Sequence, residues 1–275
     1  MITRLITQLL LTTALLEAFP TDGKTLEAFA GLPVSETRTT LTIALQTIQE
    51  ASSFPTASAV GPTQVDPMSV GMVTSAQSVL VVDRQSGTVL FEKDPSAVRA
   101  IGSITKLMTA LVFLETSPDL SGTATLQKED VREGGRLYLA LDDAITIEDL
   151  LRASLIGSDN SATMALVRLS GMDEARFVSR MNALAGELQM TQTQFEEPTG
   201  LSPRNRATAY DLTRLLSRAL ADERIQRMTT TSQVTITQAS GRTVVIDSTD
   251  ALLETFINQD PFTMLGGKTG YLPEA

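Results

Sequence analysis

The order of strand-like and helix-like segments is the feature that most constrains the fold of this chain. The strand-like segments are 78–83, 88–93, 234–238, 243–246 and 263–272. Four turn-forming residues at 84–87 join the first two of them, which predicts a hairpin. Because the other three follow a long helical block, we expect a sheet in which the two ends of the chain pair side by side, with a helical layer inserted between them.

The helical block contains five segments with helical signals. They are 104–115, 147–155, 161–169, 173–188 and 208–220. The first is apolar along its length, and Thr146 is well placed to cap the second. No internal repeat is present in the sequence. One α+β domain with a helical insertion is therefore predicted.

The N-terminal 75 residues are predicted to lie outside this domain. Residues 1–20 carry Arg4 and an apolar run at 5–16 of about the length of a signal-peptide core, so they are a candidate signal or membrane-anchor segment. The alternative is an amphipathic helix at the N-terminus. Residues 21–75 form an extension that ends in a linker rich in Ser, Pro and Thr. The folded domain is expected at 76–275.

The chain contains no histidine and no cysteine, which excludes several kinds of active site. A Ser-His-Asp triad, a Cys-His dyad, a zinc site built on imidazole or thiolate, and a disulfide framework all need one of these residues. A hydrolase of this composition must use a carboxylate, a lysine or a tyrosine as its base. The net charge of −10 would repel phosphate backbones, so we expect no nucleic-acid partner.

Three short strings carry hydroxyl and amine groups that could form a catalytic site without histidine. They are Ser103-Ile104-Thr105-Lys106, Ser158-Asp159-Asn160 and Lys268-Thr269-Gly270. The chain has only five lysines, and two of them fall inside these strings. Alone, the second string would more often be a helix cap and the third a turn. The combination of the three is what favours a catalytic site.

The first string has the local chemistry of an activated nucleophile. Ser103 follows Gly102 at the start of an apolar helix, where free backbone N–H groups and the helix dipole favour negative charge. Lys106 lies one turn later, so its amine can reach the Ser103 hydroxyl. A lysine accepts a proton only when neutral, so we expect burial or a second cation such as Lys268 to lower its pKa. The alternative is a helix-capping serine beside a solvated lysine.

Together and in this order, the three strings resemble the active-site signature of penicillin-binding proteins and serine β-lactamases. The surrounding sequence, over about 76–275, is similar to the low-molecular-weight D-alanyl-D-alanine carboxypeptidase and endopeptidase family. The similar strings are at 81–84, 102–110, 195–202 and 208–216. The last two are closer to the endopeptidase members, and the choice between the two reactions stays open.

The resemblance implies a β-lactamase/transpeptidase-like fold of three layers, with an antiparallel sheet, and an acyl-enzyme mechanism that needs no metal or cofactor. Ser103 would be the nucleophile, Lys106 its general base, and Ser158 the proton donor to the leaving amine. The substrate-binding residues would be Asn160, Lys268, Thr269, Gly270 and Tyr271. The backbone N–H groups of Ser103 and Tyr271 would hold the oxyanion.

The resemblance also implies partners and a location. The substrates would be peptidoglycan stem peptides or their cross-links, and β-lactam antibiotics would acylate Ser103. The site of action would be the extracytoplasmic cell envelope, in the periplasm or at the outer face of the cytoplasmic membrane, with the N-terminus as a candidate membrane contact. In the family, further strands and a C-terminal helix follow the third string. We therefore expect these to be missing, which would leave an exposed sheet edge and impair the activity of the chain.

Three other functions are consistent with the sequence. The first is a catalytically silent domain that binds peptidoglycan or a partner protein. The second is a class A-like β-lactamase, which needs a glutamate such as Glu197; Gly200 and Leu201 stand where that pattern has Leu and Asn. We therefore expect Glu196 and Glu197 to be solvated loop charges. The third is an unrelated soluble hydrolase, in which the three strings would lie apart.

Overall fold

The computed structural model describes residues 61–272, except 67 and 70. The candidate signal segment at 1–20 and most of the extension at 21–75 lie outside the described residues. Among the helices of the described part, none combines the length and the hydropathy needed to cross a bilayer.

The strands in the described residues form four separate antiparallel pairs. These are β1 (Val79–Val82) with β2 (Val89–Lys93), β3 (Arg99–Ala100) with β6 (Arg206–Ala207), β4 (Thr123–Thr125) with β5 (Ala144–Thr146), and β7 (Gln233–Thr237) with β8 (Thr243–Asp247). The predicted N-terminal hairpin is confirmed, and its turn is fixed by the Asp83 carboxylate, which accepts the Ser86 N–H at 2.7 Å. The pairs β3–β6 and β4–β5 were not predicted, because strands of two or three residues show no alternation.

Six α-helices lie between β3 and β7. They are α1 (Thr105–Glu115), α2 (Ile147–Leu155), α3 (Asn160–Leu169), α4 (Glu174–Glu187), α5 (Ala209–Ala219) and α6 (Glu223–Thr229). Each helix from α2 to α6 begins at a side-chain cap. The capping residues are Thr146, Asp159, Asp173, Thr208 and Asp222. The predicted helices are confirmed to within one residue at each end. In α2 to α5 this is because a cap and the apolar period coincide in the sequence. Helix α6 was not predicted, since it has only seven residues.

Helix α1 lies at the centre of the core. Its residues 105–114 are all buried, and it packs against α2, α3, α4 and α5. A helix that is apolar on every side must be surrounded by other elements. This position places Lys106, in the first turn, entirely inside the protein.

The segment 263–272, which we expected to be a strand paired beside the N-terminal hairpin, has no regular secondary structure. It forms no backbone ladder with any strand in the described residues. An extended segment becomes a strand only when a neighbour pairs with its N–H and C=O groups, and none of the described strands does so. Three side-chain contacts hold it instead. The Met264 N–H donates to Asn258 Oδ1 at 3.0 Å, the Thr269 and Thr249 hydroxyls are 2.7 Å apart, and Lys268 Nζ donates to the Ser158 hydroxyl at 3.0 Å.

Candidate active site

Ser103 lies in a 3₁₀ turn, Gly102–Ile104, that runs directly into α1. No side chain caps the start of either helix, so the Ser103 hydroxyl is not used as a helix cap. It lies instead 3.0 Å from Lys106 Nζ. The alternative of a capping serine beside a solvated lysine is therefore wrong, since Lys106 has no exposed surface.

The Lys106 amine contacts three oxygens. Its Nζ is 3.0 Å from Ser103 Oγ, 2.6 Å from Asn160 Oδ1 and 2.6 Å from the Thr199 carbonyl oxygen. A charged ammonium has three hydrogens, whereas a neutral amine has two hydrogens and a lone pair. When the two hydrogens go to Asn160 and Thr199, the lone pair is left for the Ser103 hydroxyl. The arrangement therefore suits transfer of the Ser103 proton to Lys106.

The electrostatic environment favours the neutral form of this amine. Burial, and then the positive charge of Lys268, lower the pKa of Lys106 from 10.5 to about 7. The carboxylates of Glu197 and Asp159 act in the opposite direction. We expected burial or a second cation such as Lys268 to lower this pKa, and both do so. Near neutral pH a large fraction of Lys106 can therefore act as a base.

Ser158 lies in the loop between α2 and α3, directly opposite the third string. Its φ of +57° is a left-handed conformation that residues other than glycine adopt rarely, and such backbones often occur at functional sites. Its hydroxyl accepts a hydrogen bond from Lys268 Nζ at 3.0 Å. Partial burial lowers the pKa of Lys268 from 10.5 to about 8, and the Asp250 carboxylate opposes this shift. The second and third strings thus meet through one hydroxyl and one amine.

Asp159 and Asn160 fix the start of α3 beside Lys106. The Asp159 carboxylate caps α3 by accepting two N–H groups of its first turn, and it also accepts the Tyr138 N–H at 3.2 Å. Asn160 donates from Nδ2 to the Gly134 carbonyl at 2.8 Å, which orients its Oδ1 toward Lys106. The rotamer of Asn160 is therefore fixed from both sides.

Glycines bring the backbone of the third string against the Ser103 turn. A Cβ atom on Gly102, whose φ is +52°, would lie 3.0 Å from the Tyr271 nitrogen. A Cβ atom on Gly270 would lie 2.5 Å from the Ile101 carbonyl oxygen and 3.3 Å from the Ser103 nitrogen. The backbone of Gly270 and Tyr271 therefore lies in close contact with the Ser103 turn, while the Tyr271 side chain is exposed.

The loop 196–202 completes the site, and sequence reasoning did not assign it a role. Thr199 is buried and presents its carbonyl to Lys106. Glu196 is exposed, as expected, but Glu197 is not a solvated charge. Its carboxylate accepts hydrogen bonds from the loop itself, including the Gly200 N–H at 2.5 Å. The Pro-Thr-Gly turn signal after Glu197 could have indicated a structured loop.

All eight sequence-predicted site residues thus lie together. Ser103, Lys106 and Asn160 form one set of contacts, and Ser158 and Lys268 form a second. The backbones of Gly270 and Tyr271 lie against the Ser103 turn, and Thr269 precedes them. The alternative of an unrelated hydrolase with separated strings is wrong. The structure supplies two groups that acyl transfer needs: a hydroxyl and, beside it, a buried amine whose pKa is lowered to about 7.

Comparison with known proteins gives consistent similarities. A family model described as D-alanyl-D-alanine carboxypeptidase matches residues 64–275. A D-alanyl-D-alanine endopeptidase from Haemophilus influenzae is 34% identical over 202 residues, which cover 73% of this chain and 68% of the relative. The protein of the same name from Pseudomonas aeruginosa is 31% identical over 236 residues, with 85% and 75% covered. The crystal structure of a D-alanyl-D-alanine carboxypeptidase from Mycobacterium tuberculosis matches with a TM-score of 0.67 at 29% identity, covering 76% of this chain and 78% of that one. The expected α+β fold class is confirmed.

Proposed function

This chain belongs to the D-alanyl-D-alanine carboxypeptidase family of serine peptidases, and on that premise we propose that it hydrolyses peptidoglycan stem peptides or their cross-links through an acyl-Ser103 intermediate. The observation that carries the proposal is the fully buried Lys106 amine 3.0 Å from the Ser103 hydroxyl. No histidine exists in the chain to serve as an alternative base.

The proposed reaction is acyl transfer in two steps. Lys106 takes the Ser103 proton while the Ser103 oxygen bonds to the carbonyl carbon between two D-residues. The C–N bond then breaks, and Ser158 gives its proton to the departing amine. The proton that Lys106 took from Ser103 replaces it, so Lys106 and Ser158 return to their starting forms. Water attacks the ester on Ser103 in the second step and releases the shortened peptide. The contact of Ser158 with Lys268 supports a role for this hydroxyl in proton transfer.

Charge and backbone geometry support assignments for the remaining groups. The oxyanion would sit between the N–H groups of Ser103 and Tyr271, whose backbones lie close together at Gly102. Lys268 and the Thr269 hydroxyl would hold the terminal carboxylate of the substrate. Asn160 would fix Lys106 and contact a substrate carbonyl. No metal or cofactor takes part in this scheme.

The chain shares its family with both carboxypeptidases and endopeptidases, and the endopeptidase reaction is a specific second candidate. Its support is the similarity to the two endopeptidase relatives described above. Digestion of purified muropeptide monomers and cross-linked dimers decides between the reactions. Release of D-alanine from monomers favours the first, and conversion of dimers to monomers favours the second.

A β-lactamase function has less support, because the Glu197 carboxylate is occupied by donors of its own loop and is not free to activate a water. We propose instead that β-lactams acylate Ser103 and leave a slowly hydrolysed adduct. Peptidases of this family act on peptidoglycan in the cell envelope, and we propose the same location for this chain, in the periplasm or at the outer face of the cytoplasmic membrane.

Labelling with a fluorescent penicillin tests the proposal. We expect the wild type to carry one label on Ser103 and Ser103→Ala to carry none. Ser179→Ala, at an exposed position on α4, is the matched control and should label like the wild type. A folded wild type that stays unlabelled and cleaves no muropeptide would favour the silent binding domain.

A further inference from the structure

The Glu197 carboxylate organises the loop that contacts the catalytic amine. One oxygen accepts the Thr199 N–H and hydroxyl, both at 2.6 Å. The other accepts the Gly200 N–H at 2.5 Å, the Ser202 N–H at 3.3 Å and Asn205 Nδ2 at 2.9 Å. Five donors therefore converge on one side chain. Only a carboxylate offers acceptors on both oxygens for such a set.

The same loop is attached to the first turns of α1 at several points. Lys106 donates to the Thr199 carbonyl, and Thr109 donates to the Pro198 carbonyl at 2.6 Å. Buried Asn205 links the Glu197 backbone to the Thr105 hydroxyl at 3.1 Å. The position of the Thr199 carbonyl relative to the amine is therefore set by the loop, and the loop is held by Glu197.

We propose that Glu197 is a positioning residue for the Lys106 base. Its carboxylate holds the 198–200 turn so that the Thr199 carbonyl takes one hydrogen of the neutral amine, Asn160 takes the other, and the lone pair points at the Ser103 hydroxyl. The inference rests on the proposed function, in which Lys106 is the base.

The charge of Glu197 has a second effect on the same amine. The ionisable groups that face Lys106 are Lys268, Glu197 and Asp159. Burial and Lys268 lower the pKa of Lys106, while Glu197 and Asp159 raise it. Glu197 thus holds the Lys106 amine in position through the loop, and its negative charge keeps the pKa of Lys106 from falling further. A residue that served only to stabilise the loop would not change how acylation depends on pH.

Glu196, the neighbouring residue, provides a matched control. It belongs to the same loop and carries the same charge, but it is exposed and pairs with Arg204 and the Ser202 hydroxyl. Its carboxylate contacts none of the groups around Lys106, and its backbone N–H, which donates to Asn205, is unchanged by substitution of the side chain. Glu196→Gln should therefore leave both the rate and the pH profile of acylation unchanged.

The test measures the rate of Ser103 acylation by a fluorescent penicillin between pH 5 and pH 9, with the full chain. In Glu197→Gln the side-chain NH₂ group faces backbone N–H donors, so the loop shifts and the rate falls about 10- to 100-fold. Because the negative charge is gone, the pKa of Lys106 falls, and the acidic limb of the profile moves to lower pH. Glu197→Asp keeps the charge but is one methylene shorter. We therefore expect a slower rate of acylation, with the acidic limb of the pH profile at the wild-type position.

Thermal melting of each variant separates the outcomes. A folded Glu197→Gln with the wild-type rate and profile overturns the inference. So does a slower rate with an unchanged profile, or loss of folding in both Glu197 variants, since either result assigns Glu197 to stability alone. A wild type that is not labelled at all contradicts the proposed function itself, so the two failures are distinguishable.

Discussion

At the scale of single residues, the positive charge of Lys268 in the third string lowers the pKa of Lys106 in the first string. Its ammonium is the second largest cause of the lowered pKa of Lys106, after burial. In Lys268→Met this repulsion is lost, so the pKa of Lys106 rises and acylation should need a higher pH. The exposed Lys128→Met is the control and should match the wild type. Equal pH profiles for wild type and Lys268→Met would show that the two amines are not coupled.

Burial of Lys106 also predicts a pH dependence of stability. Its pKa is about 7 in the folded chain against an ordinary 10.5, so the unfolded chain binds this proton more tightly between these values. The contribution of Lys106 to the free energy of unfolding therefore rises as the pH increases from 7 to 10.5. Since one pKa unit corresponds to about 1.4 kcal/mol, the full change in the free energy of unfolding is on the order of 5 kcal/mol.

Denaturant unfolding of the wild type and of Lys106→Met measures this contribution of Lys106 to the free energy of unfolding. The free energy of unfolding of the wild type minus that of the variant should be larger at pH 9.5 than at pH 7. Methionine keeps the apolar stem and removes the titrating group, so other pH effects largely cancel. A difference that stays constant, or becomes smaller with pH, would be inconsistent with a buried amine of lowered pKa.

At the scale of elements, the loop 196–202 and the Ser103 turn approach so closely that only glycine fits between them. Gly200 has a φ of +90°, and a Cβ atom there would lie 2.0 Å from the Gly102 carbonyl oxygen. Gly241 has a φ of +86°, yet its Cβ would meet nothing within 4 Å. Both alanine variants carry a backbone strain of about 1 kcal/mol.

Only the Gly200→Ala variant must also displace the loop from the active site. We expect it to acylate about 100-fold more slowly than the wild type, while Gly241→Ala keeps the wild-type rate. Acylation rates and melting temperatures of the two variants check this. Similar rates for both would mean that the close contact of the two backbones does not matter for the reaction.

The sequence predicted elements well where two local signals agree. Helices α2, α4 and α5 combine an apolar period with a Thr or Asp cap, and their bounds were found to within one residue. Pairs such as β3–β6 depend on tertiary contacts between distant residues, so no local pattern indicates them. The segment 263–272 has strand-like composition, but composition supplies no pairing partner.

The candidate site was predicted from residue types and order, and its geometry was not. The three strings contain five of the side chains that form the site, namely Ser103, Lys106, Ser158, Asn160 and Lys268. Thr199 and Asn205 were missed, because Thr199 acts through a backbone carbonyl and Asn205 through buried contacts with a distant helix. Glu197 was interpreted wrongly as a solvated charge, since sequence alone does not show the donors that surround a carboxylate.

At the scale of the whole molecule, α1 explains why strings far apart in sequence meet. The helices that surround it include α2 and α3, which frame Ser158, and α5, which follows the Glu197 loop. Packing them on one buried helix places the ends of all these elements beside its first turn. The active site is therefore a consequence of how the core is assembled.

The C-terminal part of the described chain exposes several large apolar side chains. Phe256, Phe262 and Tyr271 are 72%, 58% and 85% exposed. Exposed apolar groups concentrated in one segment favour association. Phe256→Ser/Phe262→Ser should therefore scatter less light than the wild type at equal concentration, whereas serine at Val245, which is 48% exposed on β8, should have little effect. Equal scattering by the double variant and the wild type would contradict this.

The central claim is that a neutral Lys106 removes the proton of Ser103, and the pH dependence of Ser103 acylation tests it most directly. The rate constant with a β-lactam should rise with pH along a single titration whose midpoint lies near 7, the pKa of Lys106. A rate that does not change between pH 5 and pH 9, or one that still rises with a midpoint near the ordinary lysine value of 10.5, would contradict the account.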